Sequence, residues 1–464
     1  MTDSKVLVDL ENAGLLTGSK LSASTLPVPL IIAAGGVDMQ SGNTVGSIDS
    51  TTFLAADMPV NVSHPESSIY QRSERFDTTV SRDRGVVTCM HDGVLSLGLS
   101  LVRELRCLGN HELIQVYHCG QDELSNSSKE MLLGTDDRLE LVDVCTDLMD
   151  RGVISGKMAS LFRSWWIKPL AMYHTDVRHV MLVDVDDIFV KDPAVLRGKK
   201  GYSSTGTTFF YDRVVKGCRK FMSGNDGDMH YMQKLFETFD YDRFNVSGGN
   251  SPSENALKSF AYNAKTCHEM DSSLVLVDKE RVGQSAMDIM FWFITEERFR
   301  YQFSFGDKET FWLSMEMAHV PYFFSPWGVS VVSSSPNKDM EEHPDTLCGS
   351  ILQYMPVDDA IPEMLYVNGK ALVDPYPSGV DSVATARKQN LYNTFPSHMM
   401  PRQVRTPTKP SAKMFTIECM VGLGSTPLPD SFAGSLMRRR LHFLGITTGV
   451  LGSLQHCETY ALNY

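Results

Sequence analysis

The sequence predicts an α/β domain with a mostly parallel central sheet flanked by helices. Three observations carry this. From Gly85 onwards, apolar runs of strand length alternate with helical apolar stripes. The composition is globular, with 42% hydrophobic and 21% charged residues in 464. The run Val180 to Val183 leads directly into three carboxylates, as where a buried strand delivers side chains to a ligand.

The elements follow in order. Gly85 to Cys89 reads as a buried strand. Leu97, Leu101, Leu105 and Leu108 share one helical stripe, stopped by Gly109-Asn110. Strands are expected at Glu112–Tyr117 and Leu139–Val144, and a helix at Lys157–Tyr173 that Pro169 kinks or ends. His179–Val183, Thr207–Tyr211, Ser272–Asp278 and Tyr322–Phe324 read as further strands. Gly283–Glu296 and Phe311–Met317 read as helices, and the polar stretch Ser223–Asn263 as an insertion or long loop. Residues 1–80 read as a leader or stem, 81–380 as the catalytic domain, and 381–464 as a tail packing on or flanking the core.

Charge and cysteine usage exclude several classes. The net charge is −13, and the one basic cluster, Arg438 to Arg440, is too short to define a partner, so nucleic acid is not expected. No run reaches about 18 apolar residues, the length a spanning helix needs. Membrane association is therefore expected only if an N-terminal anchor is missing; the start otherwise reads as a cytosolic terminus. The nine cysteines form no CxxC pair, which speaks against a zinc ribbon; one or two disulfides fit, with at least one thiol left free. Asn61, Asn126 and Asn245 begin glycosylation sequons, which permit a lumenal location without requiring one.

The most informative segment runs from Val180 to Pro193. Asp184, Asp186 and Asp187 follow the apolar run, and Asp192-Pro193 closes it as a turn. In extended chain Asp184 and Asp186 point to one face. Two carboxylates converging there repel unless a cation sits between them, and oxygen ligands suit Mg²⁺ or Mn²⁺. The bland reading is a solvated acidic turn. Against it stands the cost of three carboxylates at the end of a buried strand without a partner.

The stretch Lys168 to Pro193, with its D-x-D-D-x-F-x-x-D-P pattern, resembles nucleotide-sugar glycosyltransferases of the GT-A fold. Tyr202–Arg213, Asp271–Lys279, Gly306–Leu313, and Leu347–Gly349 followed by Tyr366–Gly369 narrow this to a resemblance to the fungal-type α-1,3-mannosyltransferase family. The blocks stand in the family's order over roughly residues 85–375. The resemblance implies a GT-A type nucleotide-diphospho-sugar transferase fold, with Mn²⁺ or Mg²⁺ as cofactor. It implies a retaining α-1,3-mannosyltransferase that moves mannose from GDP-mannose to a glycan or glycoprotein acceptor. It also implies the Golgi lumen, on a membrane-anchored protein. Related enzymes use UDP-sugars with the same acidic motif, and an inactive GT-A domain that binds glycans or stabilises a partner is a reading from another class.

Residue roles follow the same resemblance. Asp184, Asp186 and Asp187 are the metal candidates, with Asp184 also contacting the donor. Gln353 stands about where the family often has a late histidine, so it is the fourth metal candidate; His319 and His343 are alternatives. Lys168, Thr205, Gly206, Gly306 and Lys308 are donor-binding candidates. Asp271, Asp307 and Glu309 are catalytic candidates. The bland readings are a surface lysine at Lys168, a helix cap at Asp307 with a solvated Lys308-Glu309, and a glycine kink at Gly206. Trp165, Trp166 and Trp312 fit core packing better than ligand stacking.

Overall fold

The computed structural model describes residues 69–215, 230–333, 345–374, 396–406, 419–449 and 457. Most of the expected leader, part of the expected tail, and His343 lie outside them.

Four strands form the centre of the first sheet: β2 (Arg84–Cys89), β3 (Leu113–His118), β4 (Leu139–Asp143) and β5 (His179–Val183). They pair in parallel, in the order β4–β3–β2–β5. A parallel layer is covered on both faces, which is why these strands are continuous apolar runs rather than alternating ones. Their period of two still sorts the side chains. Val180 and Leu182 join Val87, Leu113 and Tyr117 in one core. Met181 and Val183 join Val86 and Ile114 in the other, beneath Leu101 and Leu105 of helix α1 (Leu95–Cys107).

Beyond β5 the pairing reverses. β8 (Met270–Asp278) lies antiparallel to β5, and β7 (Thr207–Tyr211) antiparallel to β8. The short β1 (Tyr70–Arg72) closes the far edge against β4, also antiparallel. The predicted parallel sheet is thus parallel at its centre and mixed overall.

A second, antiparallel sheet runs β14 (Thr426–Pro427), β12 (His398–Met399), β9 (Ser330–Ser333), β10 (Leu347–Tyr354), β11 (Met364–Asn368) and β6 (Asp187–Phe189), with β13 (Cys419–Met420) paired to β10 off this path. The chain crosses from the first sheet to the second between β5 and β6. The crossing is a tight turn, with the Asp187 amide donating to the Asp184 carbonyl at 3.2 Å. Asp184 and Asp186 are therefore presented by a turn at the junction of two sheets, not by the extended chain that a period of two assumes.

Other expectations are corrected locally. The expected helix at 157–173 is broken into a short turn, Gly156–Ala159, and helix α2, Ile167–His174. Pro169 neither ends nor kinks α2: it is the third residue, in the first turn, where a missing N–H costs nothing. Tyr322–Phe324 makes one isolated bridge, Phe324 to Phe209, rather than a strand. Within the expected insertion, helix α4 (Tyr231–Thr238) buries Met232 and Phe236 in the first core; α3 (Lys200–Thr205) precedes β7. Helix α5 (Lys279–Trp292) begins before the expected Gly283, which bends it with φ 79°.

Helix α7 (Asp430–Thr448) packs along α1. Its arginines are internal: Arg438 pairs with the buried Glu104 at 2.7 Å, and the Arg440 guanidinium donates to the Leu372 carbonyl at 2.6 Å. Disulfides join Cys107–Cys457, Cys119–Cys145 and Cys348–Cys419, and Cys267 is also disulfide-bonded. That exceeds the one or two expected. Cys89 is the free thiol among the described residues.

Candidate active site

Lys168 organises the site. It is the second residue of α2, buried on the side of the helix that packs over the sheet. Its Nζ lies 2.9 Å from Asp184 Oδ1 and 3.2 Å from Asp307 Oδ2. It also donates to the Ser272 carbonyl of β8 at 3.0 Å. Burial opposes its charge, but Asp184 and Asp307 overcome this and raise its pKa. This is no surface lysine: it ties together the end of β5, β8 and the start of helix α6 (Lys308–Met317).

The acidic turn holds more carboxylate than local cation. Asp184 keeps 28% of its side chain exposed. Enclosure by the protein, with Asp186 and Asp307 nearby, pushes its carboxyl up to about 7 against the pull of Lys168. Asp186 is half-buried. Asp187 is fully buried, and burial with the Asp184 and Asp186 charges drives its carboxyl well above the usual range. The Asn368 amide reaches both neighbours, at 3.0 Å from Asp186 Oδ1 and 3.0 Å from Asp187 Oδ1. The reason is register, because Asn368 lies opposite Asp187 in the β6–β11 pair. Asp187 Oδ2 is buried with no hydrogen-bond partner.

The crowded carboxylates of this turn fit an oxygen-ligated divalent cation. Among the described residues no three His, Cys, Asp or Glu side chains form a ready metal cage. An ion here would take Asp184 and Asp186 from the protein and its remaining ligands from outside, as Mg²⁺-type ions bound with diphosphates do.

Asp271 and Asp307 reach this region from other elements. Asp307 precedes α6 but makes no capping bond; its carboxylate turns to Lys168 instead. Asp271, on β8, accepts from Gln353 at 2.9 Å and from Tyr366 at 3.2 Å. The Gln353 amide also donates to the Tyr211 carbonyl at 2.9 Å, so Gln353 is engaged beside Asp271 rather than in the acidic turn. Gly306 adopts φ 65°, and a Cβ there would stand 2.9 Å from the Trp165 ring. Lys308 pairs with Asp212 at the end of β7, and His268 stands 3.4 Å from the same carboxylate.

Glu309, Thr205, Gly206 and the alternative His319 are placed elsewhere. Glu309 is fully buried, with its carboxylate 2.8 Å from the Glu269 amide and 2.5 Å from the Trp312 indole nitrogen. It clamps the start of β8 instead of facing a sugar. Burial pushes its carboxyl up to about 7. Thr205 and Gly206 end α3, where Gly206 caps in the left-handed region at φ 78°. The adjoining Thr207 is level with Val277 of β8, whereas Val183, next to Asp184, is level with Leu274. Both residues therefore stand at the opposite end of the sheet from the acidic turn, and the glycine is a helix cap. His319 bonds the Gly249 carbonyl at 2.7 Å and stacks on Tyr241, away from the turn.

Sequence reasoning missed Asn368, Tyr366, Asp212 and Arg439. The Asn368-Gly369 pair was visible as a motif, but only the β6–β11 register gives Asn368 its role. Arg439 stood in a triplet whose burial no local signal announces.

An open depression of about 350 Å³ lies past the carboxyl ends of β2 and β3, lined by His91, Asp92, Asp122, Glu123 and Arg163. Ligands of open α/β sheets bind at this end. Burial pushes the Glu123 carboxyl up to about 7.

With this geometry in place, comparison with known proteins gives a consistent family. Residues 83–354 match the model of a mannosyltransferase family. The Saccharomyces cerevisiae protein named "Probable alpha-1,3-mannosyltransferase MNT4" is 24% identical over 307 residues, covering 62% of this chain and 49% of that one. "Alpha-1,3-mannosyltransferase MNT3" of the same yeast is 21% identical over 340 residues, covering 68% and 52%. The chain thus spans about half the length of these curated relatives. Among solved structures, the galactosyltransferase LgtC with donor and acceptor sugar analogues aligns at 10% identity and TM-score 0.31, over 67% of this chain and 97% of that one. The WbbM bifunctional glycosyltransferase aligns at 13% identity and TM-score 0.31, over 54% and 40%. The family match covers more than half of the chain and holds the acidic turn, Lys168, Asp271 and Asp307 in one stretch; the chain belongs to this mannosyltransferase family.

Proposed function

We propose that the protein is a metal-dependent glycosyltransferase that moves mannose from GDP-mannose to a hydroxyl of a glycan or glycoprotein, with an α-1,3 product and retained anomeric configuration. The observation that carries the reading is the acidic turn, which brings Asp184 and Asp186 to the sheet junction beside a lysine shared with Asp307. Family membership supports the sugar, and the names of the yeast relatives support the linkage.

Asp184 and Asp186 are the residues that would hold Mn²⁺ or Mg²⁺, and such an ion offsets the charge developing on a departing diphosphate. Lys168 holds Asp184 in place and keeps a fixed positive charge at the same spot. Asn368 orients Asp186 and Asp187. Asp307, held by Lys168, and Asp271, held by Gln353 and Tyr366, supply rigid carboxylates for sugar hydroxyls or for developing positive charge at the anomeric carbon. The depression beyond β2 and β3 is large enough for part of a nucleoside.

Several disulfides in one chain point to an oxidising compartment, which supports a lumenal, Golgi location. Among the described residues no helix is long and apolar enough to cross a membrane. The test is a panel of GDP- and UDP-sugars with Mn²⁺ and an oligomannose acceptor, reading released nucleotide and product linkage. GDP release from GDP-mannose with an α-1,3 product supports the reading. Turnover of a UDP-sugar replaces the donor, and binding without turnover makes the domain inactive.

A further inference from the structure

We infer that Arg439 is a positioning residue of the acidic turn, which makes the C-terminal helix a working part of the site. This rests on the reading of that turn given above. Arg439 lies on α7, outside the family-matched residues 83–354. Its side chain is fully buried. One guanidinium nitrogen donates to the Val185 carbonyl at 2.7 Å. A second donates to Ser100 Oγ at 2.7 Å and to the Leu97 carbonyl at 3.2 Å, both on α1, and Nε is buried without a hydrogen-bond partner. Ser100 Oγ in turn donates to the Arg439 carbonyl at 3.1 Å.

Val185 is the residue between Asp184 and Asp186. Fixing its carbonyl fixes the peptide plane that joins Val185 to Asp186, from which the Asp186 carboxylate leaves the chain. The flanking arginines do other work: Arg438 is matched to Glu104, and Arg440 reaches Leu372. Among the described residues no carboxylate lies within ion-pair distance of Arg439. A buried guanidinium without a paired carboxylate is costly for packing alone. Burial pulls Arg439 down to about 10, while Glu104, Asp186 and Asp187 act the other way. Its favourable surroundings are therefore partly the site itself. A lysine would keep the charge but lose the planar fork that spans α1 and the turn.

The experiment uses the full chain and measures thermal melting and Mn²⁺ affinity, the latter by the electron paramagnetic resonance of the free ion. The variants are Arg439→Lys, Ser100→Ala, and the double variant Arg438→Met/Glu104→Gln, which alters the same helix pair without touching the turn. The inference expects Arg439→Lys to melt close to the parent and to bind Mn²⁺ about ten-fold more weakly, in the range seen when an outer residue stops orienting a metal ligand. Ser100→Ala should weaken Mn²⁺ in the same direction by a smaller factor, and it carries the test if Arg439→Lys does not fold. The double variant should leave Mn²⁺ affinity unchanged whatever its melting temperature. Unchanged affinity in Arg439→Lys and Ser100→Ala overturns the inference, as does an equal loss in the double variant. A parent protein that binds no Mn²⁺ overturns the metal-site reading itself, and the inference with it.

Discussion

Lys168 shows how one side chain decides between a solvated acidic turn and a site. A turn at the surface needs no buried lysine, yet here Lys168 lies between Asp184 and Asp307. Replacing it by methionine leaves those carboxylates facing each other without their cation. Such an unpaired cluster costs roughly 3 to 5 kcal/mol, so Lys168→Met should lower the melting temperature and abolish transfer together. Glu309→Ala should differ in kind. It strips buried amides at the start of β8 of their acceptor, costing roughly 2 kcal/mol or more in a denaturant melt, without removing a group that faces the acidic turn. The pH dependence of the metal-free protein follows from Asp184, whose carboxyl is raised to about 7 from 3.8. The folded state binds that proton more tightly than the unfolded one, so stability falls as pH rises between those values. Melting of metal-stripped protein should drop from pH 5 to pH 7.5, Asp184→Asn should flatten the drop, and Mn²⁺ should restore stability at the higher pH. At this scale the sequence was legible where chemistry is local: carboxylates at the end of an apolar run, and a lysine at family spacing. It was silent on Asn368 and Arg439, whose roles depend on strand register and helix packing.

At the scale of elements, two glycines of the recognised blocks separate by where their strands carry them. Gly206 and Gly306 both sit at positive φ. Gly206 ends α3 at the far end of the sheet, whereas Gly306 lies against Trp165 one residue before Asp307. Alanine at either costs about 1 kcal/mol for the left-handed backbone. Gly206→Ala must also shift the Arg281 side chain, 2.9 Å from the new Cβ, but this lies away from the acidic turn and should leave activity per folded molecule unchanged. Gly306→Ala must also displace the Trp165 ring and with it the approach to Asp307, so activity should fall beyond the stability loss; kinetics corrected for folded fraction check both. The block containing Thr205 and Gly206 was visible in the sequence, but its direction was not. β7 runs antiparallel to β8, and that reversal puts Asp212, not Gly206, at the functional end. The same limit explains Pro169, which was expected to kink or end a helix and instead sits in the first turn of one.

For the molecule as a whole, two sheets meet at one turn, and the candidate site is that meeting point. The alternation of runs gave the parallel centre, because strands covered on both faces must be continuously apolar. The second sheet was hidden, since its strands are separated by long connections, and nothing local indicates that β6 leaves the first sheet for β11. The proposed function requires this junction to hold the ion that neutralises a departing diphosphate. The most direct measurement is Mn²⁺-dependent GDP release from GDP-mannose by Asp186→Ala beside the parent, with melting curves on the same samples. Asp186→Ala should lose about two to three decades in rate, worth roughly 3 to 4 kcal/mol, at an unchanged or slightly higher metal-free melting temperature. Full turnover with the parent's Mn²⁺ dependence, or unfolding of the variant, would contradict that requirement.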